Sequence, residues 1–191
     1  GAAVNLIYSS AELSNAIDFG TIGVSALGLP TASSLGLLPQ SSDGKLTVEG
    51  DDWGIGATAG LSYTFCEGSK IGVTYRSPVY LTLHGDADFD VPGNATALTS
   101  TGSFVDSRVQ ADVTLPDSIA AGFNWQATEK LNILFDMQWT NWTYFDELRI
   151  KYSSGMADSV VEEDWQAVWR FSAGAEYLAT DDLKLRTGFS Y

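Results

Sequence analysis

From Gly54 to Phe65 the chain alternates without interruption. Ile55, Ala57, Ala59, Leu61, Tyr63 and Phe65 are apolar, whereas Gly54, Gly56, Thr58, Gly60, Ser62 and Thr64 are glycine or hydroxyl residues. Period-two alternation places the two sets on opposite faces of a β-strand. A strand with one greasy and one small or polar face separates two environments, and the remaining sequence must say which two.

Other segments keep the same beat. Ile71, Val73, Tyr75, Val79, Leu81 and Leu83 fall on one face, against Thr74, Arg76, Thr82 and His84 on the other. Val113, Leu115, Ile119, Ala121, Phe123 and Trp125 align in a fourth strand, and Leu131, Ile133, Phe135, Met137 and Trp139 in a fifth. Trp165, Ala167, Trp169, Phe171, Ala173, Ala175 and Tyr177 make a sixth. Weaker patterns at Val4–Leu13 and Leu183–Tyr191 bring the expected count to seven.

The connections carry more information than the strands. Short turns are expected at about 66–70, 127–130 and 179–182, and long excursions at about 14–46, 86–108 and 152–163. Short segments of that length suit hairpins, whereas the long ones exceed most loops of compact domains. Because the two kinds alternate, all long loops leave one end of the sheet. That asymmetry belongs to outer-membrane barrels, with short periplasmic turns and long extracellular loops. The fold expected is therefore all-β: an antiparallel transmembrane β-barrel of outer-membrane type, with its apolar face on lipid and its polar face on the lumen. Tyr63, Phe65, Trp125 and Tyr177 lie near short turns, where an aromatic girdle would sit. A soluble β-sandwich is the alternative that also alternates, but strands this long and loops this asymmetric fit it less well. Seven strands are an odd number, whereas complete bacterial barrels have even counts, so the chain is expected to be part of a longer protein.

Composition removes several functions. The 191 residues are 45% hydrophobic, and 24 acidic against 10 basic side chains give a formal charge of −14, the wrong sign for a nucleic-acid surface. One cysteine, Cys66, and one histidine, His84, leave no thiolate or histidine-rich metal site. Asp86, Asp88 and Asp90 alternate like calcium ligands, but Val91 and Ala97 stand where a loop glycine and a bidentate glutamate would be required. No cofactor is expected. An enzyme would have to use His84 as base with Ser77 or Ser107 as nucleophile, without any G-x-S-x-G elbow, so catalysis is not expected either. Asn94-Ala95-Thr96 and Asn141-Trp142-Thr143 match the glycosylation pattern, which is expected to be silent in a bacterial outer membrane.

Five stretches occur in an order that resembles the outer-membrane long-chain fatty acid transporter family, which includes importers of aromatic hydrocarbons. They are EGDDWGIGATAGLSY (Glu49 to Tyr63), YRSPVYLTLHGD (Tyr75 to Asp86), LPDSIAAGF (Leu115 to Phe123), QWTNWTYFDEL (Gln138 to Leu148) and DDLKLRTGFSY (Asp181 to Tyr191). The resemblance implies the middle of a fourteen-stranded barrel in the bacterial outer membrane. In that family a hatch plugs the barrel, and hydrophobic cargo is captured outside, passed inward and released laterally. No segment resembling the hatch is found in this sequence. The partners implied are a hydrophobic small molecule, fatty acid or aromatic hydrocarbon, and outer-membrane lipid with lipopolysaccharide. The full-length protein is expected to be monomeric.

Two residue sets are candidates for cargo contact. In the long first loop, Ile22, Val24, Leu27, Leu29, Leu35, Leu37 and Leu38 would meet water unless they bind something or fold into a lid. On the expected lumen face, period-two counting places Arg76, Tyr80, Trp142, Tyr144, Arg170 and Arg186, together with His84, Asn124, Asp136, Gln138, Glu176 and Lys184. The arginines could hold a carboxylate head group, or pair with Asp136 and Glu176 and brace the wall.

Overall fold

The computed structural model describes residues 1–100 and 102–191. They form one antiparallel sheet of eleven segments: β1 (Ala2–Asp18), β2 (Asp43–Cys66), β3 (Ser69–Arg76), β4 (Val79–Asp90), β5 (Ser107–Leu115), β6 (Ser118–Gln126), β7 (Leu131–Thr140), β8 (Glu147–Tyr152), β9 (Ser159–Glu162), β10 (Val168–Leu178) and β11 (Lys184–Ser190). Pairing shows that β3 with β4, β5 with β6, β7 with β8 and β9 with β10 are halves of single long strands. The eleven segments therefore make seven strands, each paired with its neighbours in sequence. The strands run further than the sequence suggests, and the long connections shrink to 19–42, 91–106 and 153–158.

The breaks lie at Ser77-Pro78, Pro116-Asp117, 141–146 and 163–167, side by side across the sheet. Proline has no N–H to donate, so a ladder cannot run through Pro78 or Pro116. Pairing of β2 with β4 ends at Asp51–His84, and pairing with β3 resumes at Thr58–Arg76. Side chains satisfy part of the seam between: Asp52 Oδ2 accepts from Thr82 N at 2.7 Å, and Ser77 Oγ accepts from Ala57 N at 2.8 Å.

Across this seam the register shifts by one residue, which turns every later side chain of that strand to the other face. We call the face carrying Ile55, Leu61 and Tyr63 outer, and that carrying Val48 inner. β2 is continuous, so its parity is the reference. Val79 and Leu81 are 2% and 3% exposed. A Cβ placed on inner-face Gly56 would stand 2.7 Å from Val79 Cγ2, and one on Gly54 would stand 2.8 Å from Leu81 Cδ2. Both side chains therefore point inward. This corrects the expectation that Val79, Leu81 and Leu83 share the lipid face with Ile71 and Val73. The same reversal at Pro116-Asp117 separates Val113 and Leu115 from Ile119, and Trp165 and Ala167 lie outside any strand.

The sheet thus has two zones. Toward the short turns the outer face is apolar. From Trp53 to Tyr63, about 3.4 Å per residue at a tilt of about 40° gives a band about 26 Å tall, close to the hydrophobic height of a membrane barrel. Tyr8 and Trp53 pack with ring centroids 5.0 Å apart at its upper edge, and Phe65 stacks on Phe123 at its lower edge. Toward the long loops the pattern inverts: Glu12, Glu49 and Asp86 line the outer face in one cross-strand row, while Val48, Ala87, Val109, Ile150 and Tyr152 form a buried inner cluster. Below the upper edge, Glu67, Asp117, Glu129, Asp136, Glu176, Asp181 and Asp182 are nearly matched by Lys70, Arg76, Lys130, Arg170, Lys184 and Arg186. Almost all the excess of acid lies at or above that edge.

Candidate functional site

The site forms where the inverted zone meets the long loops. β1 supplies Leu13 and β2 supplies Val48, which face each other in register. β4 adds Leu83, opposite Ala111 of β5, and Ala111 in turn opposes Ile150 of β8. With Val109, Val113, Phe145 and Leu148 they line an apolar groove of about 240 Å³. Among the described residues no cation lines it, so it can take a hydrocarbon surface but offers no counter-ion. A second depression of about 440 Å³ lies lower on the inner face, where Gly72 and Gly122 leave the wall thin between Lys70 and Asp136. Its border is polar and it suits apolar cargo less well.

A cap stands at the long-loop end of the groove. Helix α1 (Phe19–Leu27) begins at Asp18, whose carboxylate accepts from Thr21 N at 3.0 Å and Thr21 Oγ1 at 2.6 Å. Helix α2 (Leu29–Ser34) follows at once, with Pro30 in its first turn. α1 lies so close to the returning chain that a Cβ on Gly20 would collide with the Leu38 carbonyl. Phe19, Ala32 and Leu37 bury themselves against Ala95 and Leu98 of the facing 3-10 turn, Gly93–Thr99, and Asn94 Nδ2 ties the two loops by donating to Ser42 Oγ at 2.8 Å. A file of rings runs from this cap to the inner cluster: Phe19 to Phe104 at 5.1 Å, Phe104 to Phe89 at 5.9 Å and Phe89 to Tyr152 at 6.4 Å.

The loop residues singled out in the sequence divide accordingly. Leu37 is fully buried in the cap, and Ile22, Val24 and Leu27 pack around it. Leu29, Leu35 and Leu38 remain exposed on the cap surface.

Of the residues expected on the lumen face, Arg76, Arg170 and Arg186 lie on the inner face, but in the polar zone below the groove. Arg170 donates to Gln138 Oε1 at 2.8 Å, and Glu176 holds Arg186 at 2.7 Å and Lys184 at 2.8 Å. Tyr80 and His84 are corrected to the outer face, because the Ser77-Pro78 break reverses the count; Tyr80 is 67% exposed. Tyr144 lies in the 3-10 turn Trp142–Tyr144, outside any strand, where period-two counting assigns no face. Trp142 sits in the 3-10 turn Trp142–Tyr144 and packs edge-on against Trp165, ring centroids 5.0 Å apart.

The groove residues themselves escaped the sequence reading. The available signal was Pro78 and Pro116 in adjacent strands at facing positions. Among the described residues no cluster of three or more His, Cys, Asp or Glu side chains is placed to hold a metal ion.

Comparison with known proteins gives a consistent picture. The family model described as Outer membrane protein transport protein (OMPP1/FadL/TodX) matches residues 1–191. The 47 kDa outer membrane protein of Pasteurella multocida is 30% identical over 171 residues, covering 86% of this chain and 40% of that protein. A long-chain fatty acid transport protein of Escherichia coli O6:H1 is 26% identical over 212 residues, covering 100% of this chain and 45% of that protein. The chain thus spans less than half the length of these relatives. Among solved structures, a Pseudomonas aeruginosa FadL homologue superimposes with a TM-score of 0.78 at 17% identity, over 99% of this chain and 44% of that one. The Ralstonia pickettii toluene transporter TbuX gives 0.68 at 22% identity, over 100% and 50%. These likenesses establish the fold.

Proposed function

The chain belongs to the outer-membrane transport family whose model matches it end to end, and from that premise we propose that it takes a hydrophobic molecule, a long-chain fatty acid, from the cell exterior into the barrel. The membership makes it an outer-membrane β-barrel segment devoted to passage of hydrophobic compounds rather than to catalysis. The observation that carries the cargo route is the inverted zone, an apolar groove on the inner face of strands whose outer face is acidic. Leu29, Leu35 and Leu38 on the cap surface would collect the acyl chain, Ile22, Val24, Leu27 and Leu37 would hold the cap in shape, and the groove would receive the chain next. Transfer from water into such a lining is favourable by about 0.8 kcal/mol per buried CH₂, enough to concentrate cargo without any energy source. Arg76, Arg170 and Arg186 brace the wall below. The apolar outer band would contact outer-membrane lipid, the acidic wall above it would face lipopolysaccharide, and the full-length barrel would work as a monomer.

The test introduces a charge into the groove. Val109→Asp combined with Ile150→Asp in the full-length protein, reconstituted in vesicles, should abolish uptake of labelled long-chain fatty acid while the barrel still folds. Uptake at the wild-type rate by a folded variant would sink the groove assignment.

A further inference from the structure

Above its apolar band the outer wall is acidic, and one depression interrupts it. About 240 Å³ in volume, it is lined by His84, Arg108, Gln110, Lys151 and Ser153. Val109 and Tyr152, whose side chains belong to the inner cluster, complete its floor. Among the described residues no carboxylate lines it, although Asp86 and Asp112 stand close by on the same strands.

Strand register gathers these side chains on the outer face. His84 of β4 lies opposite Gln110 of β5, and Gln110 lies opposite Lys151 of β8. Neighbours of this kind have Cβ atoms about 5 Å apart, and Arg108 follows Gln110 on the same face about 7 Å along the strand. His84, Arg108 and Lys151 are all exposed. Asp86 lies opposite Arg108, yet among the described residues Arg108 enters no ion pair, which leaves its fork of N–H donors open. Lys151 holds Asp112 at 3.1 Å, and Thr82 Oγ1 donates to the same carboxylate at 2.9 Å. His84 pairs with Asp51, the first outer-face residue beyond Trp53 at the upper edge of the band. The depression therefore opens where hydrocarbon gives way to head groups.

We propose that this depression binds a phosphate group of lipopolysaccharide, with Arg108 and Lys151 as its charged partners and His84, Gln110 and Ser153 as further hydrogen-bond donors. This rests on the reading that the acidic wall faces lipopolysaccharide. That reading alone leaves an electrostatic conflict, because rows such as Glu12, Glu49 and Asp86 repel the phosphates of a glycolipid. The depression resolves it locally: a guanidinium fork and an ammonium give charge-assisted hydrogen bonds to phosphate oxygens, the stronger kind. A free anion would be held weakly at so exposed a site. A phosphate on lipopolysaccharide gains more, because its acyl chains lie on the apolar band directly below. The depression thus fixes where on the wall the glycolipid docks.

The test uses the full-length protein in detergent, with EDTA present to remove divalent cations that would bridge the acidic wall to the glycolipid. The probes are lipopolysaccharide and the same lipopolysaccharide stripped of its phosphates. Wild type should bind the intact form at least about tenfold more tightly, the difference that charge-assisted hydrogen bonds produce in Kd. Arg108→Gln, which breaks no ion pair, should remove most of that preference, and Arg108→Gln with Lys151→Gln all of it. Binding of the stripped form, and uptake of labelled fatty acid in vesicles, should stay at the wild-type level in both variants. Equal binding of the two forms by wild type would overturn the phosphate site and leave the contact with lipopolysaccharide standing. Binding of neither form would overturn that contact and the site together. Displacement of intact lipopolysaccharide by an equal concentration of inorganic phosphate would assign the depression to a free anion and overturn the glycolipid. Because the first comparison is made in the unaltered protein, it holds even if a variant fails to fold.

Discussion

Replacing Gly56 by alanine tests the inward turn of β4. At an unobstructed strand position such a change stabilises by about 0.5–1 kcal/mol, because glycine loses more backbone freedom on folding. At Gly56 the new methyl would lie 2.7 Å from Val79 Cγ2 and 3.4 Å from Ser77 Oγ. Carbon atoms rest about 3.5–4.0 Å apart, so Val79 must retreat by about 1 Å from a position where it is almost fully buried. Overpacking of this kind costs about 1–3 kcal/mol, which leaves a net destabilisation of roughly 0.5–2 kcal/mol. Val79→Ala alone removes two methyl-sized groups, or about 1.6 kcal/mol at 0.8 per carbon. In the double variant the alanine methyl at 56 occupies part of the vacated space, so the combined loss should fall short of the sum by about 1 kcal/mol. Equilibrium urea unfolding of the full-length barrel in phospholipid vesicles, followed by tryptophan emission, measures all three. If Gly56→Ala stabilises the protein, or the two changes simply add, Val79 does not lie over Gly56. The reversal of faces that builds the groove would then be wrong.

Two further outcomes are expected from the cap. Replacing Leu29, Leu35 and Leu38 together by serine should slow fatty-acid uptake in vesicles without changing the unfolding midpoint, because these side chains are exposed; an unchanged rate would remove them from the capture step. Asp18 predicts a pH dependence: hydrogen bonds from the Thr21 hydroxyl first and its amide next hold this carboxyl below its usual value, with the Gln40 amide adding to them. Its contribution to the cap is present above the ordinary carboxylate value of about 3.9 and lost as pH falls through the depressed folded value. Amide protection of Thr21 and Gln40, corrected for intrinsic exchange rates, should therefore collapse in that acid range for the wild type and be weak at every pH for Asp18→Ala. Equal protection in the two proteins at neutral pH would show that the carboxylate does not hold the helix start.

The sequence by itself determined the seven strands, their neighbour-to-neighbour order and the division into a short-turn end and a long-loop end. These follow from local signals: alternation at period two, and turn lengths that leave consecutive strands no partner but each other. It also placed Arg76, Arg170 and Arg186 correctly on the inner face, since their segments are unbroken on the short-turn side. Tyr80 and His84 were misplaced for one reason. Counting by two carries parity through Ser77-Pro78, where the ladder breaks and the register resets. Whether a proline ends a strand, bends it or shifts it by one residue depends on what the adjacent strands can still pair with. Only the tertiary structure decided that, by setting Pro78 against the Pro116-Asp117 break and seating Val79 and Leu81 over two glycines of β2. The groove has the same origin: its walls come from β1, β2, β4, β5 and β8, distant in sequence and joined only by strand pairing.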